Sequence, residues 1–325
     1  PGETREVVFT LGAAEDENEA RRLYRLCGKP AGAQNILEAV GEHWRRLLGT
    51  IQVDVPDATE FNLLVNGWLL YQTLSCRLWG RSGYYQSSGA YGFRDQLQDA
   101  MALLHAAPQL LRQQILTHAA RQFPEGDVQH WWHPPTGAGV RTRIVDDRLW
   151  LPQAVARYVL ATGDQAILDE QIPFLHGRQL DPDEESRYEL HTHDSATATL
   201  YEHCLRAIRA TMQYGAHGLP LMGGGDWNDG LNSVGLKGRG ESVWMAWFLC
   251  DTLRRFEELA LLRHDRDIAE LCRHERQALA ARTEERDAAN ATIEERNGRV
   301  AELEAELAKT RRELADTQGT PASES

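Results

Sequence analysis

Apolar residues recur at helical spacing along most of the chain. Several segments carry them at positions i, i+3, i+4 and i+7, the spacing that places them on one face of a helix. These segments are Ile36–Leu48, Phe61–Trp79, Asp95–Ala106, Gln109–Phe123, Asp147–Thr162, Ala196–Tyr214 and Glu241–Leu262. Glycine- and proline-containing stretches separate them. Helix after helix without a strand pattern between them predicts an all-α architecture.

The two ends of the chain have different patterns. Arg5–Gly12 is short, apolar and β-branched, so we expect residues 1–12 to end a preceding β-structure, and residues 13–33 to follow as a linker helix. Residues 263–325 contain no Trp, Tyr or Phe and are rich in Ala, Glu, Arg and Leu. A coiled-coil-like spacing is formed there by Ile293, Val300, Leu303, Leu307 and Leu314. We expect a long solvated helix with a frayed end that is able to self-associate.

Composition narrows the classes of partner. The formal net charge of −13 argues against nucleic-acid binding, because phosphate contacts need Lys and Arg. The sequence contains no apolar run of about 18 residues, so we predict no membrane span, and the N-terminus lacks a signal-peptide pattern. The five cysteines are scattered, which indicates free thiols in a reducing compartment such as the cytoplasm. Because the chain begins at Pro1, we expect a fragment or a processed chain.

A first candidate segment, Arg81–Asp99, is rich in Gly, Ser and aromatic residues. Arg94 and Asp95 in this segment lie at the start of a predicted helix. Asp95 suits the positive end of the helix dipole, so it can be a structural acid there with Asp99 as a neighbour one turn on. A carboxylate, a guanidinium and aromatic rings together are also what a sugar site uses. Both interpretations stay open.

A second segment, residues 130–147, contains two adjacent tryptophans in a Pro/Gly-rich loop. His130 and His133 could bind a metal with Asp146 or Asp147, but their spacing matches no zinc pattern, and we predict no metal. The two aspartates can instead be acids at a helix start. The functional alternative places Arg143 and these acids at a cleft.

The third segment, Gly223–Gly230, has three consecutive glycines before Asp226 and Asp229, which flank Trp227. Three glycines permit a tight or positive-φ backbone. The order of residues does not fit a calcium loop. A plain turn is one interpretation. An acid beside an aromatic ring, acting as a general acid on a glycosidic oxygen, is the other, and it makes Asp226 and Asp229 candidate acids, with Asp226 and Arg94 also possible cleft residues.

Taken together, these segments resemble glycoside hydrolase family 94, the inverting β-glycoside phosphorylases, and are most similar to the phosphorylase-like domain of cyclic β-1,2-glucan synthases. The resemblance runs from about Arg5 to Leu262. It is carried by Ser88–Asp99, Arg141–Pro152, Tyr201–Cys204, Gly225–Gly230 and Gly240–Trp244. It implies that residues 34–262 form part of an (α/α)6 catalytic barrel, preceded by the last strand of a β-sandwich.

The resemblance also implies roles for individual residues. Asp229 corresponds to the general acid, Arg81 and Asp95 to groups that hydrogen-bond the sugar, and Trp227 to a wall of the same pocket. Gly89 stands where some family members carry a further sugar-binding Arg.

The chemistry implied by the resemblance is phosphorolysis or synthesis of β-glucosides through α-glucose 1-phosphate. A glycosidase needs two carboxylates, whereas a phosphorylase needs one acid, because inorganic phosphate is itself the nucleophile. The expected partners are therefore a β-glucan or β-gluco-oligosaccharide and phosphate, with phosphate as co-substrate and no cofactor.

Because the resemblance ends near Leu262, functions other than active phosphorolysis stay open. The family's phosphate-binding His, Thr and Gly-loop residues lie beyond the Asp-Trp-Asn-Asp motif, so we expect little or no phosphorolysis by this chain, and apolar helix faces left open. An inverting glycoside hydrolase would need a second carboxylate, with Asp146, Asp147 and Glu202 as candidates. A non-catalytic glucan-binding or assembly module is the remaining alternative.

Overall fold

Helices account for most of the residues described in the computed structural model, which covers residues 2–80, 89–134, 136–235 and 237–318. The helices are α1 (Glu17–Cys27), α2 (Pro30–Leu48), α3 (Thr59–Leu63), α4 (Leu69–Gln72), α5 (Phe93–Met101), α6 (Pro108–Ala119), α7 (Asp147–Thr162), α8 (Leu200–Thr211), α9 (Asn232–Gly235), α10 (Val243–Leu262) and α11 (Arg266–Gln318). π-Helical stretches at Leu64–Trp68 and Thr73–Leu78 extend α3 and α4 into one helical segment. Each segment with helical apolar spacing contains a helix, which confirms the predicted helical character.

The helix α7 is the centre of the core and contacts α5, α6, α8 and α10. Eleven of its 16 residues are buried, and burial on all sides is typical of an interior helix. Its bounds agree with the predicted Asp147–Thr162. Gly163 ends the helix in the left-handed conformation, with φ 74°, and its N–H donates to the Val159 carbonyl at 2.8 Å.

Strands form in the connections between the helices, where the sequence predicted none. They are β1 (Tyr91–Gly92), β2 (Gln129–His133), β3 (Ala138–Thr142), β4 (Gln171–His176), β5 (Ser186–Leu190) and β6 (Thr192–Thr199). An antiparallel sheet has the order β1-β2-β3-β5, and β4 pairs with β6. These strands are short and stabilised by pairing with one another, which local apolar spacing does not report. The predicted helix Ala196–Tyr214 accordingly starts at Leu200, after the end of β6.

The strand predicted at Arg5–Gly12 is not formed with any of the described residues, and its place at the end of a preceding β-structure stays a prediction. This segment has no regular secondary structure, and Val7, Phe9 and Leu11 are exposed. A strand is stabilised by a partner that takes up its backbone N–H and C=O groups, and none of the described residues pairs with this segment. The linker helix predicted after it is present as α1.

The C-terminal helix α11 is part of the core in its first turns. Ile268, Ala269, Cys272 and Leu279 are buried, and α11 packs along α10. The predicted change to a solvated tail after Leu262 is therefore too early, because apolar residues of α11 complete the surface of α10. Further along, Val300 is 53% exposed.

Two expectations concern exposed surfaces. Apolar side chains are exposed on α10, including Trp247, and the expectation that further barrel helices would cover them stays a prediction. The side chains of Ile293, Leu303, Leu307 and Leu314 lie outside those that the structure describes, so self-association through the tail stays a prediction. Within the described parts of the chain, none of the helices combines the length and the apolar character needed to cross a membrane.

Candidate active site

The three glycines of the third segment lie against the backbone that leads into α7. The Gly224 N–H donates to the Arg143 carbonyl at 2.8 Å, and the Val145 N–H donates to the Gly225 carbonyl at 3.0 Å. Gly223 has a φ of 58°, and a Cβ there would lie 2.2 Å from the Arg143 oxygen. The close approach and the positive φ both require glycine, which confirms the predicted reason for these residues.

Asp226 anchors the end of the glycine loop. One carboxylate oxygen accepts from the Ser242 hydroxyl at 2.7 Å, and the other accepts from the Asn228 N–H at 3.0 Å. Ser242 in turn caps α10 by accepting from the Met245 N–H. Asp226 is buried and does not line the cleft described below. The structure thus makes this predicted cleft residue a support for the loop.

Asp229 emerges from this loop at the start of a single 3₁₀ turn, Asp229–Leu231. Its side chain is 51% exposed. Arg94, from the first turn of α5, donates one Nη2 group to both carboxylate oxygens, at 2.9 and 3.1 Å. The sequence placed these two residues in separate candidate segments, and the fold joins them in one ion pair.

Arg94 also connects Asp229 to a buried carboxylate. Its Nη1 group lies 3.2 Å from an oxygen of Asp146, whose side chain is fully buried. The same Asp146 oxygen accepts from the Trp150 indole N–H at 3.0 Å. Burial and the neighbouring charge of Asp147 raise the pKa of the Asp146 carboxyl, against the lowering effect of Arg94. Asp146 therefore fixes the guanidinium from the side away from solvent.

His130 forms a second link to Asp229. Its Nδ1 atom lies 2.7 Å from an oxygen of Asp147, and its Nε2 atom lies 3.9 Å from an oxygen of Asp229. Burial lowers the pKa of His130, but the charge and hydrogen bond of Asp147 and the charge of Asp229 outweigh it and raise that pKa to about 9. The imidazole is therefore protonated at neutral pH. Sequence reasoning considered His130 as a metal ligand and missed this pairing.

The metal alternative finds no support in the geometry. His133 lies beside Tyr188, with its Nδ1 atom 3.4 Å from the tyrosine hydroxyl, rather than beside His130. Across the described parts of the chain, no group of three or more His, Cys, Asp or Glu side chains is placed to hold a metal ion.

Asp229 and His130 open into a cleft of about 1340 Å³. Trp131 from β2, Arg143 and Lys237 also line it. Arg143 lines this cleft and donates to the backbone carbonyls of residues 181 and 184 at 2.6 and 2.9 Å, so it holds the loop before β5.

The residues predicted to bind the sugar lie at different positions around the ion pair of Arg94 and Asp229. Asp95 is half-buried in the first turn of α5, and its carboxylate folds back so closely over Gly92 that a Cβ there would lie 2.6 Å from it. The helix-start and sugar-binding interpretations of Asp95 both fit this position. Trp227 is half exposed, and the Arg94 guanidinium carbon lies 5.9 Å from its ring centroid. Arg81 lies outside the described residues.

The carboxylates proposed as partners for a hydrolase do not line the cleft. Asp146 and Asp147 are buried in the pairs with Arg94 and His130. Glu202, in the first turn of α8, accepts from Arg206 at 3.0 Å.

Residues 43–288 match the family model described as "Glycosyl hydrolase 94 superfamily, catalytic domain". This match extends past Leu262, where the resemblance was expected to stop, and agrees with the packing of α11 on α10.

Three relatives illustrate the range of similarity. Cyclic beta-(1,2)-glucan synthase NdvB of Rhizobium meliloti (strain 1021) is 48% identical over 267 residues, which are 82% of this chain and 9% of that protein. Solabiose phosphorylase of Paenibacillus borealis is 34% identical over 80% of this chain and 30% of that protein. 1,2-beta-oligoglucan phosphorylase of Listeria innocua is 28% identical over 62% of this chain and 18% of that protein. The chain thus spans less than a third of each of these relatives.

Both the matched family model and the identity to these relatives lead to one assignment. The chain belongs to the glycosyl hydrolase 94 superfamily, whose catalytic domain is an (α/α)6 barrel.

Proposed function

We propose that this chain carries the acid–base part of an inverting β-glucan phosphorylase-type site, with Asp229 as the catalytic acid. The observation that carries this proposal is the position of Asp229, which is held at the cleft by Arg94 and faced by the protonated His130. A fixed, half-exposed carboxylate can reach a substrate oxygen without losing its orientation.

In the proposed reaction, a phosphate oxygen attacks the anomeric carbon and the bond from that carbon to the departing oxygen breaks. Asp229 enters this step in its protonated form, gives its proton to the departing oxygen and is left as the carboxylate that Arg94 and His130 face, while α-glucose 1-phosphate forms with inverted configuration. In the reverse direction Asp229 takes the proton from the attacking hydroxyl. Arg94 now donates to both oxygens of Asp229, so a bound substrate has to exchange at least one of these hydrogen bonds.

The proposed substrate contacts surround this pair. Asp95 and Arg81 would hydrogen-bond the glucosyl unit, and Trp227 would cover one of its faces. Phosphate is the proposed co-substrate, and no further cofactor is needed for this chemistry. Arg143 and Lys237 supply positive charge to the cleft.

A β-1,2-glucan context is favoured by the names of two relatives, a cyclic beta-(1,2)-glucan synthase and a 1,2-beta-oligoglucan phosphorylase. The carboxylates considered for a hydrolase, Asp146, Asp147 and Glu202, do not line the cleft. Other carboxylates do line it, so a hydrolase stays the alternative enzyme function; they are Glu125, Asp127, Asp183, Glu184 and Glu185. We also propose a reducing, cytoplasmic location, which the five free cysteines support.

The test is to incubate the chain with β-1,2-, β-1,3- and β-1,4-gluco-oligosaccharides, with and without phosphate, and to measure glucose 1-phosphate. We expect low, phosphate-dependent release from the β-1,2 substrate that falls by at least about 100-fold in Asp229→Asn. Asp267→Asn, on the exposed first turn of α11, is the matched control and should leave the release unchanged.

Each contrary result selects another function. Release of free glucose without phosphate would establish a hydrolase. Glucan binding that survives Asp229→Asn, with no turnover in either protein, would establish a non-catalytic glucan-binding module.

A further inference from the structure

One face of the β1-β2-β3-β5 sheet points away from the core and carries a row of aromatic side chains. Trp131 of β2 pairs with Val140 of β3, which pairs with Tyr188 of β5, so these residues are cross-strand neighbours on one face. The next residue of β2, Trp132, points to the opposite face, where it is buried beside His118. The core therefore accounts for Trp132, whereas Trp131 is half-buried on the other face of the sheet.

The half-buried ring of Trp131 and the exposed ring of Tyr188 lie side by side on this face. The centroids of Trp131 and Tyr188 are 5.6 Å apart, with 37° between their planes. Tyr188 is 55% exposed although β5 holds its backbone in the sheet. The tyrosine hydroxyl and the His133 ring lie at the edge of this surface. Broad apolar rings with polar groups at their edges match a pyranose, which has an apolar ring face and hydroxyls around its rim.

This surface is continuous with the cleft of the candidate active site. Trp131 and Val140 line the cleft, as does Asp229. One step along the same sheet face, Thr142 pairs with Ser186, and both also line the cleft. The aromatic rings thus continue outward from a cleft wall that carries hydroxyl groups.

We propose that Trp131 and Tyr188 form a platform that binds a glucosyl unit of a β-glucan chain beyond the unit that is cleaved. This inference rests on the proposed function, because it takes the glucan in the cleft as given. The platform would add binding energy only for chains long enough to reach it, and so would set a preference for longer oligosaccharides. The mixture of rings and hydroxyls favours a glucan chain over an apolar protein segment as the occupant.

Isothermal titration with linear β-1,2-gluco-oligosaccharides of two and of six units tests the platform. We expect the longer probe to bind more tightly to the wild-type chain. Tyr188→Ala should weaken the longer probe by about tenfold and leave the shorter one unchanged. Tyr24→Ala, which removes an exposed tyrosine of α1, is the matched control and should change neither affinity.

A second variant separates a loss of binding from a loss of folding. Trp131→Ala should give the same loss for the longer probe, and circular dichroism with urea unfolding checks its fold. If Tyr188→Ala and Trp131→Ala both bind the two lengths as the wild type does, the platform is refuted and the proposed function stands. If the wild-type chain binds neither probe, the proposed function fails and the platform fails with it.

Discussion

His130 provides a quantitative test of the charge arrangement behind Asp229, through the substitution His130→Asn. Its imidazole is 17% exposed and faces Asp147 on α7, Asp229 on the glycine loop and Arg94 on α5. Together these groups raise the pKa of His130 from its ordinary value of 6.5 to about 9, mainly through Asp147 and Asp229 and against the effects of burial and Arg94. The protonated ring is therefore more favourable in the folded chain than in the unfolded one.

Because the pKa of His130 is raised, the direction in which the free energy of unfolding changes with pH can be worked out. Because the folded-state pKa of His130 lies above the unfolded value, the contribution to the free energy of unfolding is fully present below about pH 6.5 and is lost as the pH rises through about 9. The difference between the two pKa values corresponds to about 3 kcal/mol, at about 1.36 kcal/mol per pKa unit. The raised pKa of the Asp146 carboxyl acts in the same direction, since its contribution also declines as the pH rises.

The assay is urea unfolding, followed by circular dichroism, of the wild type and His130→Asn at pH 6, 8 and 10. The destabilisation caused by the substitution should be about 3 kcal/mol larger at pH 6 than at pH 10. His217→Asn is the matched control, because His217 pairs with Glu241 at 2.8 Å but is 73% exposed. Because that pair is screened by solvent, His217→Asn should change the free energy of unfolding by less than about 1 kcal/mol. A destabilisation by His130→Asn that is the same at all three pH values would refute the assigned charge on the imidazole.

Two further substitutions test the packing around the site. Gly223→Ala should destabilise the chain by about 2–4 kcal/mol in urea unfolding, because its Cβ would meet the Arg143 carbonyl at 2.2 Å; Gly238→Ala has a similar positive φ but open space and should cost about 1 kcal/mol. Equal losses of stability in Gly223→Ala and Gly238→Ala would contradict the close approach of Gly223 to the Arg143 carbonyl. Leu279→Ala should cost about 2–5 kcal/mol if α11 completes the core, whereas Val300→Ala, at an exposed site, should cost less than about 0.5 kcal/mol. A loss of less than 1 kcal/mol for Leu279→Ala would show that the folded unit ends before α11.

Local patterns in the sequence predicted the parts of the fold that depend on neighbouring residues. The bounds of α7 follow from its apolar spacing together with the glycine that ends it. The need for glycine at Gly223 follows from the run of three glycines, although the carbonyl that it approaches could not be named. The same segment offered two aspartates, and the family resemblance singled out Asp229.

Features that depend on distant residues could not be predicted in the same way. The strand β5 pairs with β3, and β1 with β2, across long connections. The hairpin of β2 and β3 is local, but its residues lack the apolar alternation that marks an isolated strand. The ion pair of Arg94 and Asp229 joins residues that are 135 positions apart. The sequence also predicted that the helical core ends near Leu262, before α11, and this error has another cause. The polar, alanine-rich composition of that helix is dominated by its exposed residues, while the few apolar ones that reach α10 are widely spaced.

The charges behind the candidate acid explain why only part of the cluster faces the cleft. Three carboxylates, Asp146, Asp147 and Asp229, share two cationic partners, Arg94 and His130. A buried excess of one negative charge is unfavourable, and the raised pKa of the Asp146 carboxyl relieves it by favouring a proton on the most buried member. Asp147 then keeps His130 charged, and Arg94 and His130 together orient Asp229. Of the three carboxylates, Asp229 is the one that lines the cleft, so it is the one that can exchange a proton with a substrate.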